Sequence, residues 1–517
     1  MTRPLLVPGE TCATLIDAPT GGLLIDGHDF YRAVYEACCK AKRTIYMAGW
    51  QFASEVELVR GDEAANCSHP TKFLPFLRSL CERNPDLDIY LLPWDSSPVF
   101  TLEREPLQRL KFWRLGHKRI HWRMDNAHPP GASHHQKLIC VDRAVAFVGG
   151  MDLCTSRWDD RDHAANKPQR CTKGKQDQPY HDIQAYVMGN GVDILRGWFA
   201  QRWERATGKK LEVPDAPTGG IAIEPTIPIA APHVGLSRTL PPLEDPPCEP
   251  VTELLQLHLR AIGAAKRVIY IENQYLSSDE LCRAIEARLA SDGPKLEIVM
   301  VFPERSAGKK EQISIGVYQQ AIFKRITEAC AHYGHKLGVY FHAVPGDEGD
   351  VPVFIHAKVM AVDDRFLLCS SANTTNRSMT FDTELGIAWE SLEENPTIRR
   401  ARIEMIGEHC GVWGEEAEAL VGPIAGLVDR LDAFAREKRG ALRIHCRNAD
   451  EAPGPIMSRI LPPDSPFDPD SIEDTMPEPG TWLDRIFRNP IAFGGHLGKK
   501  LGGAVRRRAT RSDRRSG

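Results

Sequence analysis

Apolar residues recur along this chain at two spacings. In DFYRAVYEACCKAKR (29–43) and GVDILRGWFAQRWERAT (191–207) they return every three or four positions, which predicts helices. TIYMAGW, VIYIENQYL (268–276), KLEIVMVFP and KLGVYFHAV are short apolar runs and predict strands. TELLQLHLRAIGAAKR leads into the second of these, and RARIEMIGEHCGVW (400–413) predicts a closing helix. Residues 208–250 carry ten prolines. Proline resists both a helix and a central strand, so this stretch predicts a connection, with HVGLSRT (233–239) at most an edge strand.

Two of the strand patterns repeat with their flanks. SHHQKLICVD (133–142) places His135, Lys137 and Asp142 at offsets that IHAKVMAVDD reproduces with His356, Lys358 and Asp363. Each is followed by a turn and a second apolar run, AVAFVGGMDL (144–153) and FLLCSSANTT (366–375). Upstream, AKRTIYMAGWQF (41–52) matches AKRVIYIENQYL (265–276). Both pairs lie roughly 220 residues apart, a fixed period that marks an internal duplication. The chain therefore divides into a first unit (1–207), the Pro-rich connection (208–250), a second unit (251–445) and a tail (446–517). The tail is rich in Pro and acidic residues to about 480, then basic with Trp482, Phe487 and Phe493. It reads either as a solvated basic tail or as a segment for an anionic lipid surface.

Composition adds little. The 517 residues are 42% hydrophobic and 26% charged with a net charge of −4, so no global field favours nucleic acid or membrane. No apolar run reaches transmembrane length, and MTRPLLVPGETCATLIDAP does not read as a secretory signal. The fourteen cysteines show no CxxC and no zinc spacing, which predicts reduced structural thiols such as Cys140 and Cys369.

The two HxKxxxxD motifs resemble the signature of the phospholipase D superfamily. FVGGMDLCTSRWDD, GVDILRGWFAQRWE, IYIENQYL and SSANTTNRSMTFDTELG are similar to segments of its eukaryotic-type branch, and the resemblance covers roughly residues 25–415. It implies an α/β protein of two homologous α/β/α sandwich units with pseudo-twofold symmetry and a shared active site at their interface. It further implies a two-step mechanism that uses no metal and no cofactor. His135 is the expected nucleophile and His356 the expected acid/base, with the reverse left open. Lys137 and Lys358 would neutralise the phosphate oxygens.

By the same resemblance, Glu384 is the carboxylate partner of one His. Asp159 is its expected counterpart, with Asp160, Asp162 and Asp182 nearby. Asn373 would donate to phosphate. Asp152, at the matching place, would orient a neighbour, since an anion there repels phosphate. Asp142 and Asp363 read as structural turn residues. Arg157 and Arg377 read as holders of carboxylates. His163 and His181 read as ordinary surface or core histidines, and Trp50, Trp158, Trp198 and Trp203 as core.

The activity implied is hydrolysis of the distal phosphodiester of a glycerophospholipid to phosphatidic acid and the head-group alcohol, with transphosphatidylation when an alcohol accepts. A cardiolipin synthase-like phosphatidyltransferase, a superfamily nuclease and an inactive membrane-binding scaffold are the alternatives. The near-neutral charge counts against a nuclease, and two intact HxK pairs count against a scaffold. The expected partner is a phospholipid surface, met transiently by a monomer, with no nucleic acid. The expected location is cytoplasmic or peripheral on a membrane, with export by a signal-independent route left open.

Overall fold

Two mixed sheets carry the chain, and they match strand for strand. The first runs, in spatial order, Ile227–Pro228, Gly21–Ile25, Ile183–Val187, Val145–Gly149, Leu138–Val141, Thr44–Gly49, Asp88–Pro93, Ile120–Trp122. The second runs Thr14–Ile16, His233–Leu240, Glu384–Glu390, Phe366–Ser370, Val359–Val362, Val268–Glu272, Glu297–Val301, Lys336–Gly346, and then adds Gly349–Pro352. In both, the pairings around the HxK hairpin are antiparallel and the two beyond it are parallel. This is a computed structural model, and it describes residues 3–18, 20–95, 105, 108–129, 131–244, 247–305, 309–445 and 468. Apart from Asp468, the tail with Trp482, Phe487 and Phe493 lies outside the described residues.

The connection is less passive than its prolines suggest. His233–Leu240 is an inner strand, paired on one side with Thr14–Ile16 and on the other with Glu384–Glu390. Pro232, Pro241 and Pro242 bracket this strand and none falls inside it, so every ladder donor survives. The edges are also exchanged. The N-terminal Thr14–Ile16 closes the second sheet, and Ile227–Pro228, from beyond the first unit, closes the first. The helix at 191–207 ends on Gly208, whose φ of 67° suits a left-handed cap. The helix Pro396–Cys410 starts earlier than expected, capped by Asn395, and does not close the chain. Two more helices and Leu442–Ile444 follow, and that strand returns to Lys336–Gly346.

The apolar strands are apolar because both faces are buried. Leu138 and Cys140 enter a core shared by the two units, together with Val359, Ala361, Leu367 and Cys369. Ile139 and Val141 face a separate core under the helices of the first unit, and Met360 and Val362 face its counterpart in the second. The two sheets thus pack face to face, and no disulfide joins the described cysteines.

Asp142 and Asp363 anchor each HxK hairpin to its neighbour. Asp142 accepts from the backbone N–H groups of Lys42, Arg43 and Thr44 at 2.7–2.8 Å. Asp363 accepts from Lys266, Arg267 and Val268 at 2.7–3.0 Å. Both are buried in turns with φ of 50° and 56°, a conformation Asp tolerates better than most residues. Asp142→Ala would strand three donors at the start of a central strand. We expect a loss of about 2–4 kcal/mol, seen as a lower denaturation midpoint, with Asp363→Ala behaving alike. An unchanged midpoint would contradict the anchoring role.

Candidate active site

The lead-in to each HxK strand docks on the opposite unit. The His135 N–H donates to the Thr383 carbonyl at 2.9 Å, and the His356 N–H donates to the His181 carbonyl at 2.8 Å. Short parallel pairings accompany both, His134 with Thr383 and Tyr180–His181 with Phe354–Ile355. In each case the next residue of the opposite strand is a carboxylate. Glu384 reaches His135 Nδ1 with both oxygens at 3.1 Å, and Asp182 Oδ2 reaches His356 Nδ1 at 2.6 Å. With Nδ1 held, Nε2 is the ring atom left for chemistry.

The two carboxylates are supported differently. The Ser371 hydroxyl donates to Glu384. Gly150 stands at the place of Ser371 in the first unit, and a Cβ there would collide with Asp182 Oδ1. Asp182 instead accepts from the Ile183 N–H at 2.8 Å.

Asp159 does not pair with His356. It accepts from His163 Nδ1 (3.0 Å), Arg170 Nη1 (2.7 Å) and the N–H groups of Tyr180 and Asp160. The residue that meets His356 is Asp182, because it precedes Ile183–Val187 as Glu384 opens Glu384–Glu390. The pairing of HDI with TEL would have given it from the sequence; proximity to the RWDD segment misled.

The ammonium groups are fixed too. Lys137 Nζ donates to the His135 carbonyl at 2.8 Å and lies 3.3 Å from Asp152 Oδ2. Asp152 is thus a partner of Lys137, and it also accepts from the Trp50 N–H at 2.8 Å. Lys358 donates to the His356 carbonyl and to Gln274 Oε1. Gln274 was not foreseen; it occupies the position of Trp50 in the repeat. Asn373 is half-buried, and its Oδ1 has no hydrogen-bond partner among the described residues. Arg377 grips Asp382 with two hydrogen bonds of 2.6 and 2.9 Å, whereas Arg157 bonds the Tyr180 hydroxyl and lies 4.9 Å from that ring. Trp158 and Trp203 are buried in the cores, while Trp50 and Trp198 are half-buried.

Burial, and then Lys137 and Lys358, hold the His135 imidazole well below its usual value. Burial, then Lys358 and Arg157, do the same to His356. Burial pushes the Glu384 carboxyl up to about 8 and Asp182 up to about 6. Burial pushes the Lys358 ammonium down to about 7, Lys137 and Arg157 adding to the drop and Asp182 and Glu384 opposing it. The site is a largely buried cluster of lysines and imidazoles backed by carboxyls, and an anion between the lysines would favour the charged form of Lys358.

The family described as "Phospholipase D" matches residues 114–219, and "Cardiolipin synthase, PLD-like domain" matches residues 258–401. The chain belongs to the phospholipase D superfamily and carries two domains of that type. It is similar to "Phospholipase D alpha 1" of Vigna unguiculata, at 23% identity over 76% of this chain. It spans 64% of the length of that protein. "Phospholipase D A" of Dictyostelium discoideum is 24% identical over 73% of this chain and 33% of its own length. Among solved structures, the phosphatidylserine synthase of Haemophilus influenzae Rd KW20 covers 82% of this chain and 95% of its own. Its TM-score is 0.49, with 15% sequence identity.

Burial pushes the Lys358 ammonium down to about 7. It is charged below that value and neutral above it, so anion affinity is present at lower pH and lost as pH rises. Sulfate, which does not itself titrate near neutrality, should bind more weakly as pH rises through about 7. Calorimetry on Lys358→Arg should show a flatter profile, since guanidinium stays charged. A wild-type profile that is flat across neutrality would refute the assignment.

Proposed function

We propose that the chain is a phospholipase D. It would hydrolyse the distal phosphodiester of a glycerophospholipid to phosphatidic acid and the head-group alcohol, and pass the phosphatidyl group to another alcohol when one is present. The observation that carries this reading is the crossed pairing of His135 with Glu384 and His356 with Asp182, with Lys137 and Lys358 alongside. Two imidazoles tuned by carboxylates of opposite units suit a displacement in two steps.

In the first step His135 Nε2 attacks phosphorus, the P–N bond forms and the bond to the head-group oxygen breaks. His356, whose charged form the bound phosphate anion favours, gives its proton to the leaving oxygen. In the second, water attacks phosphorus from the vacated side, His356 takes its proton, and the P–N bond breaks. Lys137 and Lys358 hold the non-bridging oxygens throughout. His135 is the more open ring, 17% against 9% exposed, which suits the group that must meet phosphorus. Asn373 would add a donor to the phosphate. A phosphatidyltransferase of the cardiolipin synthase kind is the second reading, supported by the description of the family matching residues 258–401.

The test is product analysis on vesicles of mixed phosphatidylcholine, phosphatidylethanolamine and phosphatidylglycerol, with and without ethanol. Phosphatidic acid, with phosphatidylethanol when ethanol is added, is the expected outcome. His135→Ala should lower both by about 10³-fold or more. Cardiolipin as the main product would select the transferase, and no lipid product at all would refute both.

A lipid substrate requires contact with a membrane surface. The short helix Gln108–Leu115 exposes Leu110 (43%), Trp113 (79%) and Leu115 (54%). Its Phe112 stacks on Trp122 of the edge strand Ile120–Trp122, with ring centroids 4.0 Å apart. Among the described residues no helix is long and apolar enough to cross a membrane. We therefore propose transient surface docking through this helix by a single chain, which already contains both HxK pairs. Trp113→Glu should weaken vesicle sedimentation several-fold while leaving turnover of a soluble short-chain diester unchanged. Equal sedimentation of the two proteins would remove the helix from this role.

A further inference from the structure

Beneath His356, where the two units meet, lies a second cluster that the transfer chemistry does not use. Asp26, His163 and His181 come from the first unit and Glu408 from the second, and all four are buried. His163 Nε2 lies 3.4 Å from Asp26 Oδ2 and 3.3 Å from Glu408 Oε1. His181 Nδ1 lies 2.9 Å from Asp26 Oδ1 and 3.1 Å from Glu408 Oε1. Donor atoms held about 2.0–2.1 Å from a tetrahedral zinc ion stand roughly 3.3 Å from one another, close to these separations.

We propose that these four side chains form a structural site for a divalent transition metal of the zinc type, clamping the two units together directly below the reaction centre. Two imidazole nitrogens and two carboxylates suit zinc, whereas calcium and magnesium prefer an all-oxygen shell. Three further observations bear on the site.

The first is hydrogen bonding that does not form. His181 Nδ1 and Nε2 and Asp26 Oδ2 are buried without an aligned hydrogen-bond partner, despite their closeness to opposite charges. An imidazolium placed for hydrogen bonding would aim its N–H at those oxygens; a metal ligand aims a lone pair at the space between them.

The second is what stands behind the His163 ring. His163 Nδ1 is 3.0 Å from Asp159, itself gripped by Arg170. A carboxylate behind a ligating histidine is the usual arrangement for fixing its tautomer.

The third is charge. Asp26, Asp159, Glu272 and Glu408 face the guanidinium groups of Arg161 and Arg170. One divalent ion with both histidines neutral would balance these carboxylates, as would two protonated imidazoles.

The site would act on catalysis through position alone. The His181 carbonyl accepts from the His356 N–H, and Asp182 follows His181 in the chain. A metal on His181 would fix the short strand that holds both.

Metal analysis of the whole chain, expressed in zinc-supplied medium and purified without chelator, should find about one transition-metal ion per molecule. Glu408→Gln and His163→Gln should each lose most of it. Unfolding the wild type with a chelator present should lower Tm, and zinc alone should restore it. A chain free of metal, with a Tm indifferent to zinc and chelator, would overturn the proposal in favour of two protons shared among the same groups. Metal retained in full by both variants would overturn it as well. Direct analysis of the wild type keeps the question decidable if either variant fails to fold.

Discussion

Everything at the reaction centre depends on carboxylates crossing from one unit to the histidine of the other. Neither unit can orient its own HxK imidazole. Glu384 serves His135 and Asp182 serves His356, and both pairings are set by a backbone hydrogen bond between the same two segments. Shifting either pairing by one residue would turn the carboxylate to the other face of its strand. The face-to-face packing of the sheets, through Val148, Ala185, Cys369 and Ile387, therefore fixes catalytic geometry as well as stability. The exchanged edge strands Thr14–Ile16 and Ile227–Pro228 tie each sheet to sequence lying outside its own unit.

The same packing creates the site's electrostatics. Burying two ammonium groups and two imidazoles is costly unless each meets a partner. The backbone carbonyls of His135 and His356, Asp152 and Gln274 meet part of that need. The lowered Lys358 and His356 show what is left unmet. A phosphodiester anion would supply the remainder, so part of the folding strain at the centre becomes binding affinity for the substrate.

The duplication, the hairpins around the HxK motifs and the helix at 191–207 were all legible in the sequence, because each rests on local periodicity or a repeated spacing. What escaped depended on contacts between distant segments. Asp159 looked suitable by its neighbourhood in the chain, but strand pairing brought Asp182 to His356 instead. HVGLSRT looked like an edge beside so many prolines, yet the prolines only frame it. His163 and His181 looked ordinary because their partners, Asp26, Glu272 and Glu408, are spread across both units. No linear zinc spacing could have revealed that cluster.

The duplicated centre is symmetric in its histidines and lysines and asymmetric in what surrounds them. Glu384 takes a hydroxyl from Ser371, while Asp182, one methylene shorter, packs against Gly150. Lys137 has an anionic neighbour in Asp152, and Lys358 has the neutral Gln274. Asp152 and Asn373 differ by a full charge at equivalent positions of the repeat. In a two-step displacement one imidazole must be unprotonated when the other carries a proton. Two identical surroundings would give the two rings equal proton affinity and leave that division to chance. Divergence in these surrounding residues, with the HxK groups unchanged, would separate the two affinities, as the proposed two-step displacement requires.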